Sequence, residues 1–422
     1  MIEEIKQNIE SVLADENSFD FLSGLWIGKK PPFTKAVVIR NTNFSNDGQV
    51  NYSKIAVLDV EIKQLQSRKL QKGDIIIERS GGGPKQPVGR VVYFDREKSD
   101  IDFSFSNFTS VIRVKDEKRF DSKFVLYFLH NFYLEGNTDS LQRRTTGIRN
   151  LDFRSYKDSV VFPAMLIDEQ KAIANVLTTI QEAVAGQEEL IAKLKELKRS
   201  VMQHLFTHGT KGEKTKLTEI GEIPESWEVV MLGKIADIQQ GKQVSKKNRV
   251  GENQKPFLRT ANVFWNKIDL SELDEMNFSK EEEEKLSLNY GDLLVCEGGA
   301  VGRTAMWKDE LKNCYYQNHL HRVRVNEKIS SHFLLHWLDY ALEYTSLYFG
   351  RANTTTIPNL SKSKLQMFEI PLPDVDEQNI IFKTLELFDR KIEATQEKLF
   401  VYQNLFKTSL HELMSGERRV KI

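Results

Sequence analysis

Several features that mark large protein classes are scarce in this sequence. Two cysteines, Cys296 and Cys314, among 422 residues are too few for a disulfide framework or a four-cysteine zinc site. No run approaches the roughly 18 consecutive apolar residues of a membrane span. The first ten residues lack the apolar segment and the cleavage site of a secretory signal. We therefore expect a soluble, cytoplasmic protein.

An excess of charge of one sign is also missing. The chain has 60 Lys and Arg against 60 Asp and Glu, which excludes a basic histone-like arm, and its composition is not biased towards disorder. Charge is nevertheless segregated locally: residues 141–157 and 241–255 are basic, whereas residues 271–285 are acidic. Such clusters fit either solvated faces or nucleic-acid contacts, so their place in the architecture has to decide.

What the sequence does contain is an internal repeat. Gly73-Asp74 and three aliphatic residues after it recur at Gly291-Asp292, 218 residues later. The offset falls along the copies and reaches 208 where Asp168-Glu169-Gln170 recurs as Asp376-Glu377-Gln378. Because 422 residues exceed one ordinary core, the repeat predicts two related globular domains. Further matches are Arg113-Val114 with Arg324-Val325 and Val88-Gly89-Arg90 with Val301-Gly302-Arg303.

Beyond that point both copies carry a stripe of residues spaced alternately by four and three, which is typical of a coiled-coil seam. Both stripes are polar at the same central position, Gln187 and Thr395. The offset no longer changes within the stripes, so something fixes the length of these helices, since an extra residue rotates all later side chains by about 100°. The predicted seam residues are Ile173, Leu177, Ile180, Val184, Gln187, Ile191 and Leu194 in the first copy and Ile381, Leu385, Phe388, Ile392, Thr395, Leu399 and Tyr402 in the second.

The sequence therefore predicts an α/β fold of two mixed α/β domains separated by two long helices. The second domain joins the end of one helix to the start of the other, which favours an antiparallel coiled coil and a pseudo-two-fold dumbbell. Predicted strands are residues 74–78, 111–114, 292–296 and 321–325, and predicted short helices are residues 122–131 and 331–340. The predicted boundaries are 1–165 for the first domain, 166–207 for the first long helix, 208–226 for a linker, 227–373 for the second domain and 374–415 for the second long helix.

The second half also resembles a known family. The segments that carry the resemblance are Ile223-Pro224-Glu225-Ser226-Trp227-Glu228, Leu232-Gly233, residues 257–263, residues 291–295, and Pro371-Leu372-Pro373 before Glu377-Gln378. In this order, with the doubled heptad helix, they are similar to the specificity subunits of type I restriction-modification systems. The resemblance covers nearly all of the chain, most clearly residues 220–415. The first half departs from it, since it has no Trp-Glu and Leu-Gly signature and carries extra residues 83–86 in its glycine turn.

The resemblance implies two target-recognition domains, each of which reads one part of a bipartite, asymmetric site on double-stranded DNA. It also implies that the helices form an antiparallel coiled coil and dock two methyltransferase (modification) subunits, and that restriction subunits with translocase and nuclease activity join the complex. The specificity subunit itself is then not an enzyme and needs no cofactor. From the architecture alone, a coiled-coil scaffold that joins two protein partners stays an alternative, and an enzyme with an unrecognised active site is a third.

No segment matches a catalytic or metal-binding motif. Lys30-Pro31-Pro32-Phe33 resembles an adenine-methyltransferase loop, but a Lys at its first position cannot accept hydrogen bonds from an adenine amine. Residues 80–85 are rich in glycine but lack the spacing of a phosphate-binding loop. His332 and His336 lie four residues apart without the glutamate of a zinc-protease motif. We expect no catalytic residues and no metal.

Two basic, Asn-containing regions recur in both copies and are the predicted DNA contacts. Arg can read guanine and Asn adenine, whereas Lys and Thr suit phosphates. The alternative for each is an ordinary surface charge or a capping Asn. The first region comprises Lys29, Lys30, Arg40 and Asn43, matched by Lys242, Lys246, Lys247, Arg259 and Asn262. The second comprises Arg143, Arg144, Thr145, Thr146, Arg149 and Asn150, matched by Arg351, Asn353, Thr354, Thr355 and Asn359; Arg90 and Arg303 follow equivalent glycine turns.

Overall fold

The structure is a computed structural model. It describes residues 11–26, 28, 30–83, 86–97, 100–145, 148–345, 347–348 and 359–420, with only the backbone for Arg144 and Thr145. The chain forms two compact units. Unit 1 consists of residues 1–186 and 398–422, and unit 2 consists of residues 187–397. In the described part of the chain, every helix is too short or too polar to cross a membrane.

Unit 1 is built from short strands, short helices and parts of two long helices. Its elements in chain order are β1 (Ser11–Val12), β2 (Phe19–Ser23), β3 (Phe33–Ile39), β4 (Ala56–Glu61), α1 (Ile62–Ser67), β5 (Ile75–Glu78), β6 (Ser80–Gly82), β7 (Val91–Tyr93), β8 (Asp102–Phe105), β9 (Thr109–Val114), α2 (Ser122–Leu134), β10 (Gln142–Thr145), β11 (Ile148–Leu151), α3 (Phe153–Ser159), β12 (Val161–Phe162) and the first half of α4 (Ile167–His208).

Unit 2 follows the same plan. Its elements after the second half of α4 are β13 (Thr215–Thr218), β14 (Gly221–Pro224), β15 (Glu228–Met231), α5 (Leu232–Ile235), β16 (Ala236–Gln240), β17 (Gln254–Leu258), β18 (Val263–Phe264), β19 (Lys267–Ile268), β20 (Asp274–Asn277), α6 (Lys280–Lys285), β21 (Leu293–Cys296), β22 (Thr304–Met306), β23 (Tyr315–Tyr316), β24 (Leu320–Val325), α7 (Ser331–Asp339), α8 (Lys362–Gln366), β25 (Glu369–Leu372) and the first part of α9 (Val375–Ser415). The last part of α9 belongs to unit 1.

Strand order confirms that the two copies share one mixed α/β fold. Unit 1 has a four-stranded antiparallel sheet in the order β2-β9-β5-β7, and unit 2 has the matching order β16-β24-β21-β22. A three-stranded sheet repeats as well: β4-β3-β8 in unit 1 corresponds to β20-β17-β23 in unit 2, each with one antiparallel and one parallel pair. The central strands β5 and β21 are buried on both faces, which explains their unbroken aliphatic sequences.

The repeated dipeptides are held together by a buried ion pair in each unit. Asp74 accepts two hydrogen bonds from Arg113, at 2.6 and 2.8 Å, and Asp292 accepts two from Arg324, at 2.8 and 2.7 Å. Both carboxylates are 1% exposed. The glycine before each Asp has a positive φ, +99° at Gly73 and +89° at Gly291, which disfavours any residue with a Cβ. The repeat thus preserves a turn and its ion pair.

In each unit the start of one long helix packs beside the end of the other. In unit 1, Ile173 and Leu177 of α4 share a core with Leu410 and Leu413 of α9. In unit 2, Lys198 of α4 contacts Asp389 of α9, and Thr210, just after α4, contacts Glu377 at the start of α9. Residue numbers rise along one helix as they fall along the other, so the pairing is antiparallel. None of the fourteen predicted seam residues is exposed.

The structure differs from the sequence prediction between the first helix and the second domain. Residues 208–226, predicted to be a linker, contain the hairpin of β13 and β14, whose registered pairs run from Thr215 with Pro224 to Thr218 with Gly221. Ile220 and Ile223 are buried in the unit 2 core, whereas Leu217 is 86% exposed. Because Leu217 faces the solvent, the sequence of β13 does not show the alternation of apolar buried and polar exposed residues that predicts a strand.

Candidate nucleic-acid interface

A buried glutamine attaches each long helix to its domain, and we call this contact the glutamine joint. Gln170 accepts a hydrogen bond from the backbone N–H of Asp121 at 3.1 Å and donates to the carbonyls of Arg119 and Met165 at 2.8 and 3.1 Å. Asp121 is the N-cap of α2, which packs on the four-stranded sheet. The long helix α4 is therefore bonded to its domain at Asp121, the residue that caps α2.

Unit 2 repeats this contact atom for atom. Gln378 accepts a hydrogen bond from the backbone N–H of Ser330 at 2.7 Å, and Ser330 is the N-cap of α7. The same side chain donates to the carbonyls of Lys328 and Pro373, both at 2.9 Å. Gln378 is completely buried and Gln170 is 2% exposed, so both joints are shielded from water.

The glutamate before each joint binds the chain just beyond the end of the other helix. In unit 2, Glu377 is 1% exposed and accepts hydrogen bonds from Thr210 N–H at 2.8 Å and from the Trp227 indole at 3.0 Å. In unit 1, Glu169 accepts two bonds from Arg419, at 2.5 and 2.6 Å. Together with the glutamine joints, these contacts fix the helix register inside each unit.

Asn43 and Asn262, predicted to read bases, are structural instead. Asn43 is 1% exposed: its Oδ1 accepts from Arg40 N–H at 3.0 Å, and its Nδ2 donates to the carbonyls of Asn51 and Lys54. Asn262 is 4% exposed and makes the equivalent bond with Arg259 N–H at 2.9 Å. Its Nδ2 donates to the Asp269 and Glu272 carbonyls. A buried amide whose polar atoms are all bonded to backbone cannot also bind a base.

Two predicted cationic contacts are likewise engaged within the fold. Arg90 makes two hydrogen bonds to the buried carboxylate of Glu78, at 2.9 and 3.0 Å, and only 13% of its side chain is exposed. Lys242 is 10% exposed and donates to Glu282 and to the Asn277 carbonyl, at 2.5 and 2.7 Å. Neither can reach DNA without losing the ion pair that holds its largely buried side chain, so the expected DNA contacts at Arg90 and Lys242 do not fit this geometry.

Arg303 differs from its counterpart Arg90. It is partly buried, donates to the Thr260 carbonyl at 2.7 Å, and stacks its guanidinium over the exposed ring of Phe264 at 4.8 Å. Its Nε is buried and has no hydrogen-bond partner among the described residues. Because its side chain is only partly buried and stacks on an exposed ring, Arg303 remains a candidate contact.

The exposed members of the first region are Lys30 and Arg40 in unit 1 and Lys246 and Lys247 in unit 2. Arg259 is partly buried and lies 3.3 Å from the Asp274 carboxylate, which it shares with Arg249 at 3.1 Å. Lys29 lies outside the described residues. The backbone at Lys30 is held by Glu61, whose carboxylate accepts a hydrogen bond from Lys30 N–H at 2.8 Å. The side chain of Lys30 is left to the solvent.

The second region forms a hairpin in unit 1. Strands β10 and β11 pair in antiparallel register, and β11 also pairs with β6. Arg143 is 71% exposed at its side chain and bonds to Asp152, while Asn150 faces the Ser80 hydroxyl at 2.5 Å. Arg149 is partly buried and Asn359 is exposed. Thr146, Arg351, Asn353, Thr354 and Thr355 lie outside the described residues, and the side chains of Arg144 and Thr145 are not described.

Hydrogen bonds and burial set the electrostatics of this hairpin. The Ser155 hydroxyl, at 2.8 Å, lowers the pKa of Asp152, and Arg143 lowers it further. Burial lowers the pKa of Arg79, which packs over the Phe153 ring at 4.6 Å and lies 3.4 Å from the Ser110 hydroxyl. Arg79 follows the central strand directly, so it presents a cation beside the hairpin.

The matching position in unit 2 has the opposite charge. Glu297 accepts a hydrogen bond from Gln240 at 2.9 Å and lies 3.9 Å from His321, whose pKa burial lowers. In both units the backbone carbonyl at this position accepts a 2.8 Å bond, from Leu151 N–H or from Leu360 N–H. The sequence shows a carboxylate in the second glycine turn, at Glu297, but Arg79 at the matching position was not among the predicted contacts.

The described residues contain no group of three or more His, Cys, Asp or Glu side chains that could hold a metal ion. Both cysteines are buried and unpaired, and burial raises the pKa of Cys296 to about 11. A thiol in that state is a poor nucleophile at neutral pH.

Comparison with known proteins agrees with this arrangement. Residues 28–196 and 224–400 match the family described as the type I restriction modification DNA specificity domain. The type I restriction enzyme MjaVIII specificity subunit of Methanocaldococcus jannaschii is 29% identical over 311 residues, which cover 70% of this chain and 71% of that protein. The EcoKI specificity subunit of Escherichia coli is 23% identical over 91% of this chain and 78% of its own length.

Solved structures show the same fold at low identity. The crystal structure of the type I restriction-modification S subunit from M. genitalium has a TM-score of 0.56 at 17% identity, and the alignment covers 95% of this chain and 94% of that one. A chain from a type I restriction-modification assembly has a TM-score of 0.55 at 18% identity, with 94% and 97% covered. Since the two matched stretches span most of the sequence, the chain belongs to the type I restriction-modification DNA specificity family and carries its domain twice.

Proposed function

We propose that this chain is the DNA sequence-specificity subunit of a type I restriction-modification complex and that each unit reads one part of a bipartite site. The observation that carries the proposal is a duplicated domain of constant topology whose exposed cationic side chains differ between the copies, with Lys30 and Arg40 in unit 1 and Lys246 and Lys247 in unit 2. Two heads with different polar groups recognise different base sequences. The DNA site is therefore bipartite and asymmetric.

The paired helices have a length and a register that are the same in both copies. Their repeat offset does not change along the seam, and the contacts of Glu169, Gln170, Glu377 and Gln378 fix their register. We propose that their length sets the number of unread base pairs and that their outer faces dock the modification subunits, with restriction subunits joining the complex. The chain itself supplies recognition and no catalytic group.

Exchange of the second domain tests the proposal. Replacing residues 227–373 with the corresponding domain of another specificity subunit should change one half of the methylated sequence and leave the other half intact, because the joints and helices stay in place. The measurement is sequencing of methylated adenines in cells that carry either gene. If both halves change, or neither does, the units do not read DNA independently.

The exposed lysines of unit 2 provide a second test. Lys246→Ala with Lys247→Ala should weaken binding to all DNA sequences alike and reduce the slope of log K against log salt by about 2, since each phosphate contact contributes about 0.9. The control is Lys308→Ala with Lys312→Ala, which removes the same charge from another exposed loop. Binding of the chain with its modification subunits is followed by anisotropy at several salt concentrations. Equal slopes in both variants would exclude this loop from the DNA interface and favour a protein scaffold.

A further inference from the structure

A cluster of buried charged side chains lies where α4, α7 and α9 meet in unit 2. Lys198 is 9% exposed and occupies a seam position of α4. Its Nζ donates to Asp389 of α9 at 2.6 Å and lies 3.6 Å from Asp339 of α7. His336 Nε2 lies 3.9 Å from the other Asp389 oxygen, which has no hydrogen-bond partner among the described residues. We call these four residues the charged cluster.

Burial determines the charge states of the cluster. It raises the pKa of Asp339 to about 6, so this carboxyl is mostly ionised at neutral pH. Burial, together with nearby Lys198, lowers the pKa of His336 to about 3, so the imidazole is neutral. Lys198 is therefore the cation that compensates two carboxylates in this part of unit 2.

The same four positions of unit 1 are occupied by uncharged side chains. With the constant helix offset of 208, Gln181 is the equivalent of Asp389, and Phe406 is the equivalent of Lys198. With the offset of 209 between α2 and α7, Tyr127 is the equivalent of His336, and His130 is the equivalent of Asp339. Tyr127 donates to Gln181 at 3.0 Å, and its ring meets that of Phe406 at 6.1 Å. Burial lowers the pKa of His130 to about 4, so it is neutral as well. We call these residues the neutral cluster.

Two kinds of helix contact differ between the units: these clusters, and the glutamates, since Glu377 binds Thr210 whereas Glu169 binds Arg419. The glutamine joints do not differ, because both bind the same set of backbone atoms. Antiparallel pairing of α4 with the α4 of a second copy, and of α9 with the α9 of that copy, would satisfy the same joints. Repeated chains with equivalent pairing surfaces form such exchanged dimers readily.

We propose that the charged and neutral clusters make helix pairing selective, so that the end of α4 accepts the start of α9 in its own chain and rejects a second copy. In an α4–α4 pair, Lys198 would meet Gln181 and His130. The lysine would then lose both of its carboxylate partners in the core, since the acidic side chains beside this cluster, Asp47 and Glu182, are exposed. Uncompensated burial of an ion is strongly unfavourable.

The complementary mismatch arises in an α9–α9 pair. There Phe406 would face Asp339 and Asp389, and these two carboxylates would lose their only compensating cation among the described neighbours. Each exchanged dimer would contain both mismatches twice. The native pairing avoids all of them, because each cluster is complete only within its own unit.

The test gives unit 2 the neutral cluster. The variant with Lys198→Phe, His336→Tyr, Asp339→His and Asp389→Gln carries side chains that already pack together in unit 1. Full-length chains with two different tags are co-expressed, and mixed-tag dimers are measured by affinity capture and light scattering. We expect at least a ten-fold larger share of mixed-tag dimers than in the wild type. A folded variant that remains unmixed would overturn the proposal.

The inverse variant gives both units the charged cluster, so that pairing within one chain and pairing between two chains again become equivalent. It introduces the charged cluster into unit 1 through Tyr127→His, His130→Asp, Gln181→Asp and Phe406→Lys, and it should also form mixed-tag dimers. The matched control reverses the central pair with Lys198→Asp and Asp389→Lys, which keeps a cation and a carboxylate together and should leave the dimer fraction at the wild-type level.

The wild-type protein provides a measurement that does not depend on any variant. Differently tagged wild-type chains are unfolded together in denaturant and refolded at a series of concentrations. Selective pairing predicts that each chain recovers its own helix pair and that mixed-tag dimers stay near background throughout. Mixed dimers that increase with concentration would show that the clusters do not discriminate.

Discussion

Deleting residues 184–190 from α4 together with residues 392–398 from α9 should shorten the unread spacer of the DNA site by about three base pairs without changing the bases read. Seven residues span roughly 10.5 Å of helix at 1.5 Å per residue, and DNA rises about 3.4 Å per base pair. A whole heptad preserves the seam, and the shared offset of 208 removes matching segments from both helices.

The measurement is the spacer length of methylated sites, selected from a library in which both half-sites are constant and the spacer varies. Removing three base pairs also rotates one half-site relative to the other by about 100° around the DNA axis. The deletion variant should therefore bind its preferred shorter site more weakly than the wild type binds its own site. Replacing Glu188, Glu189 and Leu190 with alanine keeps the helix length and serves as the control. An unchanged spacer preference after the deletion would refute the idea that helix length sets the spacing.

The second large effect is expected at Glu377. Glu377→Ala should lower the free energy of unfolding of unit 2 by about 3–5 kcal/mol, because breaking a buried charged network leaves its partners unsatisfied. Those partners are the Trp227 indole and the Thr210 N–H. The equivalent Glu169→Ala should cost about 1 kcal/mol or less, since the Arg419 side chain is 58% exposed and recovers its hydration.

These two variants make a matched pair because they occupy the same repeat position. Four of the five tryptophans, Trp227, Trp265, Trp307 and Trp337, lie in unit 2, so tryptophan fluorescence during urea unfolding reports mainly on that unit. The Glu377→Ala transition should move to clearly lower urea, while Glu169→Ala should stay close to the wild type. Equal shifts would mean that burial of the partners does not decide the outcome.

The architecture was predictable wherever packing imposes a pattern on the sequence. The seams were visible because two facing helices require alternate spacings of four and three, and the copies of β5 and β21 were visible because both faces are buried. The glycine-aspartate and arginine-valine matches predicted related domains, and the ion pairs of Asp74 and Asp292 explain why they match. The β13–β14 hairpin was not predicted because it buries only three side chains, Ile220, Ile223 and Pro224.

The candidate contacts were less predictable, because an amide or a guanidinium uses the same groups to hold a turn and to bind a base. Asn43 and Asn262 recur because each bonds the backbone of the same turn. Arg90 and Arg303 recur because each donates to a carbonyl of that turn, that of Asn41 or Thr260. Repetition in the chain therefore marks shared structure first. Exposed residues that differ between the two copies, such as Lys30 in unit 1 and Lys246 in unit 2, carry more information about recognition.

The glutamine joints have a consequence for how such proteins diversify. Within the described residues, every hydrogen bond made by the side chains of Gln170 and Gln378 ends on a backbone atom. Amide and carbonyl groups survive nearly any substitution, so the domain sequence can drift, or be exchanged by recombination between genes, while its attachment persists. New specificities can thus arise on an unaltered frame without a compensating change in the helices.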